Sequence, residues 1–134
     1  MPPTARAVTA VIAAAEGLTL LGYAGSITWV AVTSGLQGPV EVSSPAGVTV
    51  EVLVFALFGA GVLALAVGRW RGTGWSTVPF VVVQLLALTV GIPLVTGTGG
   101  ALSAGVVITA AAVIGLGGVV MDRINAEPGQ PSQP

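Results

Sequence analysis

The sequence predicts an all-α protein: a four-helix transmembrane bundle with both termini cytoplasmic. Three observations carry this. Charged residues make up 7% of the 134 residues and hydrophobic residues 54%, whereas a water-soluble domain carries about 25% charge. The apolar residues gather in four stretches, about 7–32, 45–68, 77–95 and 101–121. Each is long enough, as a helix, to cross a hydrocarbon core roughly 30 Å thick. Finally, Arg6, Arg69, Arg71 and Arg123 are the only basic side chains, and all fall on one side of a four-span chain. The positive-inside rule then puts that side in the cytoplasm.

The same composition narrows the chemistry. Cysteine, histidine and lysine are absent, which removes disulfides, thiolates, the commonest general base and metal ligand, and Schiff-base chemistry. No nucleophile–base pair or metal set can be assembled, so an enzyme, a cofactor and a bound metal are not expected. A net charge of −1 with no basic tract gives nucleic acid no footprint. One membrane domain, residues 1–121, is expected, with a polar Pro/Gln-rich tail over 122–134 expected to be disordered.

The first stretch, Ala7–Val32, is longer than the roughly 7–15 residues of a signal-peptide core, and it holds an acid, Glu16. It is expected to remain as a helix. Thr9, Glu16 and Tyr23 fall seven apart, with Thr19 and Ser26 three beyond the last two, so they share a face. That polar stripe is expected to face protein. Trp29 lies near the far end, suited to the headgroup level.

A loop with Gly35, Gly38, Pro39 and Glu41 follows. Ser44-Pro45 reads as an N-cap and first helical residue of the second helix. A rival reading makes Val40–Val42 and Val48–Val52 a hairpin about Ser44–Gly47. It would leave too short a span after it, so the helix from residue 45 is preferred. Ala56, Ala60, Ala64 and Gly68 fall four apart as a stripe for close helix approach. The loop Arg69–Ser76 carries Arg69, Trp70, Arg71 and Trp75, expected as interfacial anchors along with Trp29. In the third helix Pro79 sits in the first turn and Pro93 near the end, while Thr77, Gln84 and Gly91 share a face. Thr96–Gly100 reads as a tight turn, and Gly105, Thr109 and Ala112 give the fourth helix a small face.

The third segment carries a resemblance. Trp75-Ser76-Thr77-Val78-Pro79 leads into Gln84-Leu85-Leu86-Ala87-Leu88 and Gly91. This pattern, with the acid in helix 1 and the Arg-Trp loop, resembles that of small, uncharacterised four-span integral membrane proteins of actinobacteria. The resemblance implies the fold and a bacterial inner (plasma) membrane; it supplies no reaction. Ala13–Leu20, around Glu16, is also similar to the first helix of the small multidrug resistance transporters. Those have four spans and a glutamate that exchanges protons for cationic drugs. The first loop here is longer than theirs, and helix 3 lacks their aromatic-glycine pattern.

The candidate polar site is Glu16, Gln84, Tyr23 and Glu51. By helical rise Glu16 and Gln84 sit at depths of roughly 14 and 11 Å from the same side, so a two-bond carboxyl–carboxamide pair is expected if helices 1 and 3 are neighbours. An ionised acid there costs at least about 3 kcal/mol, which favours the neutral form. Tyr23 and Glu51 are at similar depth and can also pair, or Glu51 serves as a helix-start acid reaching headgroup water. The function expected is a structural or accessory membrane subunit or scaffold. Its partners are the lipid bilayer and a second copy or another membrane protein. The alternative is a small proton-coupled cation or drug transporter working through Glu16.

Overall fold

The computed structural model describes residues 3–35, 44–97 and 102–126. They form four long helices: α1 (Pro3–Ser34), α2 (Pro45–Arg71), α3 (Thr77–Thr96) and α4 (Leu102–Ala126). A short 3-10 turn, Gly74–Ser76, precedes α3. No strand occurs among the described residues. The chain is all-α, and all four helices are long and apolar enough to cross a membrane, which makes it a multi-pass membrane protein.

Local chemistry sets the helix ends. At the start of α2, the Gly47 amide donates to the Ser44 hydroxyl at 3.1 Å and the Val48 amide to the Ser44 carbonyl at 3.1 Å. Ser44 is therefore the N-cap and Pro45 the first helical residue. Val48–Val52 is helical, which removes the second strand of the hairpin alternative; Val40–Val42 lies outside the described residues. At its other end α2 runs past Gly68 to Arg71 and closes in a Schellman motif. The Thr73 amide donates to the Gly68 carbonyl at 3.0 Å and the Gly72 amide to the Arg69 carbonyl at 3.1 Å. Gly72 takes the left-handed φ of 69° that this motif requires.

Two other ends move outward from expectation. α1 begins at Pro3, and α4 continues past Met121 to Ala126, drawing Asp122 and Arg123 into the helix. The rest of the expected tail, residues 127–134, lies outside the described residues.

The chain divides into two compact units, Met1–Ile12 with Leu65–Pro134, and Ala13–Ala64. In the first, α3 packs on α4 through glycines. A Cβ on Gly105 would stand 2.8 Å from Leu94 backbone carbon, and one on Gly91 would stand 3.1 Å from Thr109 nitrogen. One on Gly115 would stand 3.0 Å from Gln84 Cδ. Phe80, Gln84 and Ala112 are fully buried, so the Thr77–Gln84–Gly91 face of α3 is its inward face.

In the second unit, α1 meets α2 where Gly17 faces Gly59. A Cβ on Gly17 would stand 2.9 Å from the Gly59 carbonyl oxygen, and one on Gly59 3.0 Å from that of Gly17. The alanine stripe expected on α2 is not this contact: Ala60 and Ala64 are exposed and Ala56 is half-buried. Close approach selects the residue that has no side chain at all, and alanine on a lipid face costs nothing. The polar stripe of α1 also divides. Thr9 is buried, but Thr19 and Ser26 are exposed. Their hydroxyls donate back to the carbonyls of Ala15 at 2.8 Å and Tyr23 at 2.7 Å, so they meet lipid with no unsatisfied donor.

These contacts predict that Gly59→Leu lowers thermal stability in detergent by about 1–3 kcal/mol through overpacking. Ala60→Leu, one residue on, should change it by less than about 0.5 kcal/mol. Equal effects in thermal unfolding would contradict this assignment of the α2 face.

Candidate functional site

The most elaborated polar site lies in the first unit, where Arg69 in the last turn of α2 is only 3% exposed. The face that carries it continues Leu65 and Ala66, both buried, so the helix period turns its side chain inward. Its guanidinium donates in three directions. Nε donates to Thr9 Oγ1 of α1 at 3.2 Å, Nη1 to Thr77 Oγ1 of α3 at 3.0 Å, and Nη2 to Asp122 Oδ2 of α4 at 3.2 Å. Its Cζ stands 5.6 Å from the centroid of the Phe80 ring, within cation–π range. One side chain thus joins residues of all four helices.

Each partner is placed by its own helix. The Thr9 hydroxyl accepts from Arg69 and has the carbonyls of Ala5 at 3.2 Å and Arg6 at 3.1 Å for its own proton. Gly118 of α4 leaves room beside it: a Cβ there would stand 2.7 Å from Thr9 Cγ2. Thr77 opens α3 directly after the 3-10 turn, where the Ser76 hydroxyl donates to the Thr73 carbonyl at 2.8 Å. Asp122 lies three residues beyond buried Val119, so the extra turns of α4 carry it inward. Its side chain is 11% exposed, and it neutralises the arginine. Lysine could not replace Arg69, because an ammonium lacks the planar fork that reaches three fixed partners.

Arg69 therefore has a different setting from the other expected interfacial anchors. Trp70, Trp75 and Trp29 are 66%, 58% and 70% exposed, and Arg71 is exposed. Arg6 lays its guanidinium against Gly72: a Cβ there would overlap its Nη1 and stand 2.5 Å from its Cζ.

Gln84 is fully buried in the first unit against Gly115. Glu16, Tyr23 and Glu51 belong to the second unit. Glu16 and Glu51 are half-buried. The Tyr23 ring meets Phe55 edge-on at 4.8 Å, one turn past Glu51. Among the described residues no group of three or more His, Cys, Asp or Glu could hold a metal. An open groove of about 550 Å³ between α1 and α4 in the first unit is wholly apolar, with Val8, Val11, Val107 and Ile114 in its walls.

Sequence reasoning placed Thr9 and Thr77 on inward faces but missed that Arg69 and Asp122 join them. The available signal was periodicity: each charge continues the buried face of its own helix by one further turn.

No family model, curated protein or solved structure matches the chain.

The arrangement predicts that Asp122→Ala destabilises the protein by about 3–5 kcal/mol, because it leaves a buried guanidinium unneutralised. Replacing both partners, Arg69→Met with Asp122→Leu, should recover most of that loss. A thermal-unfolding double-mutant cycle measures the coupling; additive single effects would show that the pair is not coupled.

Proposed function

We propose that this membrane protein is a structural or accessory component of the plasma (inner) membrane, with no catalytic activity of its own. It associates through its lipid-facing surface with a second copy or with another membrane protein. The Arg69 cluster carries the reading. The most buried charge of the described chain is spent on tying four helices together, with Thr9, Thr77, Asp122 and Phe80 as its partners. Capture in mild detergent followed by partner identification tests it: a stoichiometric membrane partner or a stable homo-oligomer is expected, and a strictly monomeric protein with no partner would contradict it.

Both termini are proposed to be cytoplasmic, from the placement of Arg6, Arg69, Arg71 and Arg123. Cysteines at Gln37 and Thr98 should then react with an impermeant thiol reagent from outside intact cells. One at Gly74, whose Cβ direction is open, should not. Outside labelling at Gly74 would reverse the topology.

Glu16 favours a second reading. It is a half-buried acid inside an apolar span, and intramembrane acids are functional candidates. In that reading the protein is a small proton-coupled transporter of cations or drugs. Glu16→Gln keeps a donor and an acceptor but cannot titrate. If Glu16 serves packing alone, the variant should match wild type in detergent stability, and neither should show pH-driven cation flux in liposomes. A wild-type flux abolished by Glu16→Gln, with stability retained, would replace the accessory reading by the transporter.

A further inference from the structure

The contact of α1 with α2 in the second unit holds an acid that neither function above uses. The two helices run antiparallel there, with Gly17 against Gly59 and Tyr23 against Phe55. On α2, Glu51, Phe55 and Gly59 recur every four residues and are all buried or half-buried, while Leu53, Val54, Leu57 and Phe58 between them are exposed. Glu51 therefore shares the face turned to α1. It stands one helical turn from Phe55, at the spacing where side chains are neighbours about 5–6 Å apart at Cβ. The Tyr23 and Phe55 ring planes meet at 76° with their centroids 4.8 Å apart, so they form two walls of a corner. Tyr23 is 48% exposed, which leaves the corner within reach from outside the helix pair.

Glu51 lies beyond the first turn of α2, which holds no acid, so the helix dipole does little for it. Among the described residues no hydrogen bond or ion pair engages the Glu51 carboxyl or the Tyr23 hydroxyl. The 27 residues of α2 make a helix about 40 Å long, roughly 10 Å more than the hydrocarbon core. Glu51, about 9 Å from Pro45 along the helix, then sits just inside the hydrocarbon edge at that end. A carboxylate at this level is best satisfied by a positive charge brought against it. Calcium and magnesium need more oxygens than one carboxyl and one phenol supply. Aromatic faces instead attract an alkylated ammonium within about 6 Å of a ring centroid, and its alkyl groups suit an apolar level. We propose that Glu51, Phe55 and Tyr23 form a seat for an organic ammonium ion, borne by a free amine or by a lipid headgroup. Glu51 supplies the counter-charge, and the two rings wall the ion. The proposal makes no use of Glu16 and is independent of the accessory role.

Tyr23 is the only tyrosine of the chain. The full chain with isotope-labelled tyrosine therefore gives one ring signal to follow by NMR, in a maltoside detergent that carries no ammonium of its own. Tetramethylammonium chloride should shift that signal saturably, while sodium chloride at equal ionic strength and uncharged neopentanol should not. Glu51→Gln should weaken the binding about ten-fold, through loss of the counter-charge. Phe55→Leu should weaken it about two- to five-fold, through loss of one ring. Glu51→Gln keeps the size and polarity of the side chain, so it reads the site even if Phe55→Leu loosens the helix pair. No shift with tetramethylammonium would overturn the proposal, as would an equal shift with neopentanol or an affinity unchanged in Glu51→Gln. Short-chain phosphatidylcholine, set against phosphatidylglycerol of the same chain length, separates the two sources. A shift with phosphatidylcholine alone supports a headgroup in the seat, and a shift with neither lipid beside one with tetramethylammonium supports a free amine. The readout is binding, so a negative result leaves the accessory reading and the Glu16 reading as they stand.

Discussion

The first unit depends on a single problem of solvation, the burial of the Arg69 guanidinium in the last turn of an apolar helix. A charge there is tolerated only where each donor has an acceptor and an opposite charge stands beside it. The bonds to Thr9, Thr77 and Asp122 give each of its three nitrogens an acceptor and supply the opposite charge. They also fix which face of α1, α3 and α4 turns inward at that end, since each partner must point at the same guanidinium. The ionic contact therefore specifies register and rotation more than it adds stability, because desolvation offsets most of the Coulombic attraction. The Schellman closure immediately after Arg69 supports it: Gly72 ends the helix where the chain must turn to bring Thr77 within reach.

Away from that end, the helices are held by closeness. Lipid tails are as apolar as leucine, so no hydrophobic drive brings membrane helices together, and dispersion contacts between closely approaching backbones take its place. Gly17 with Gly59 in one unit, and Gly91, Gly105 and Gly115 in the other, are the points where that approach occurs. The hydroxyls follow the same logic in reverse. Thr19, Ser26, Thr49 and Thr89 bond to carbonyls of their own helices, so they make no demand on a neighbour and can face lipid.

Two sets of polar side chains in the first unit differ in what they face. Arg69 and its partners are committed to the protein's own packing. Arg71 and the indoles of Trp70 and Trp75 are turned outward at the level where a bilayer offers phosphates. A small membrane protein whose inner polarity is used for its own assembly, and whose outer polarity faces headgroups, suits a role carried out by association. Glu16, half-buried in the second unit, is the residue on which a transport role would depend.

The sequence by itself determined the four helices, because a scarcity of charge and four long apolar stretches admit no other way of satisfying backbone hydrogen bonds in lipid. It also determined the start of α2 at Ser44-Pro45 and the inward face of α3 through Thr77, Gln84 and Gly91, both being local matters of capping and period. The tertiary structure decided which small residues make contact. Gly59 and Ala60 are neighbours in sequence with similar bulk, and only the partner helix distinguishes them. It also decided the fate of the charges. Arg69 and Arg71 stand two apart in the last turn of α2, and the helix period turns only the first onto the face of Leu65 and Ala66. What period alone does not tell is that a charge can remain there: it is neutralised by an aspartate 53 positions away, on a helix whose last turns looked like a tail because charged residues are read as leaving the membrane. Inside the bundle end, a charge that has its counter-charge remains in the helix.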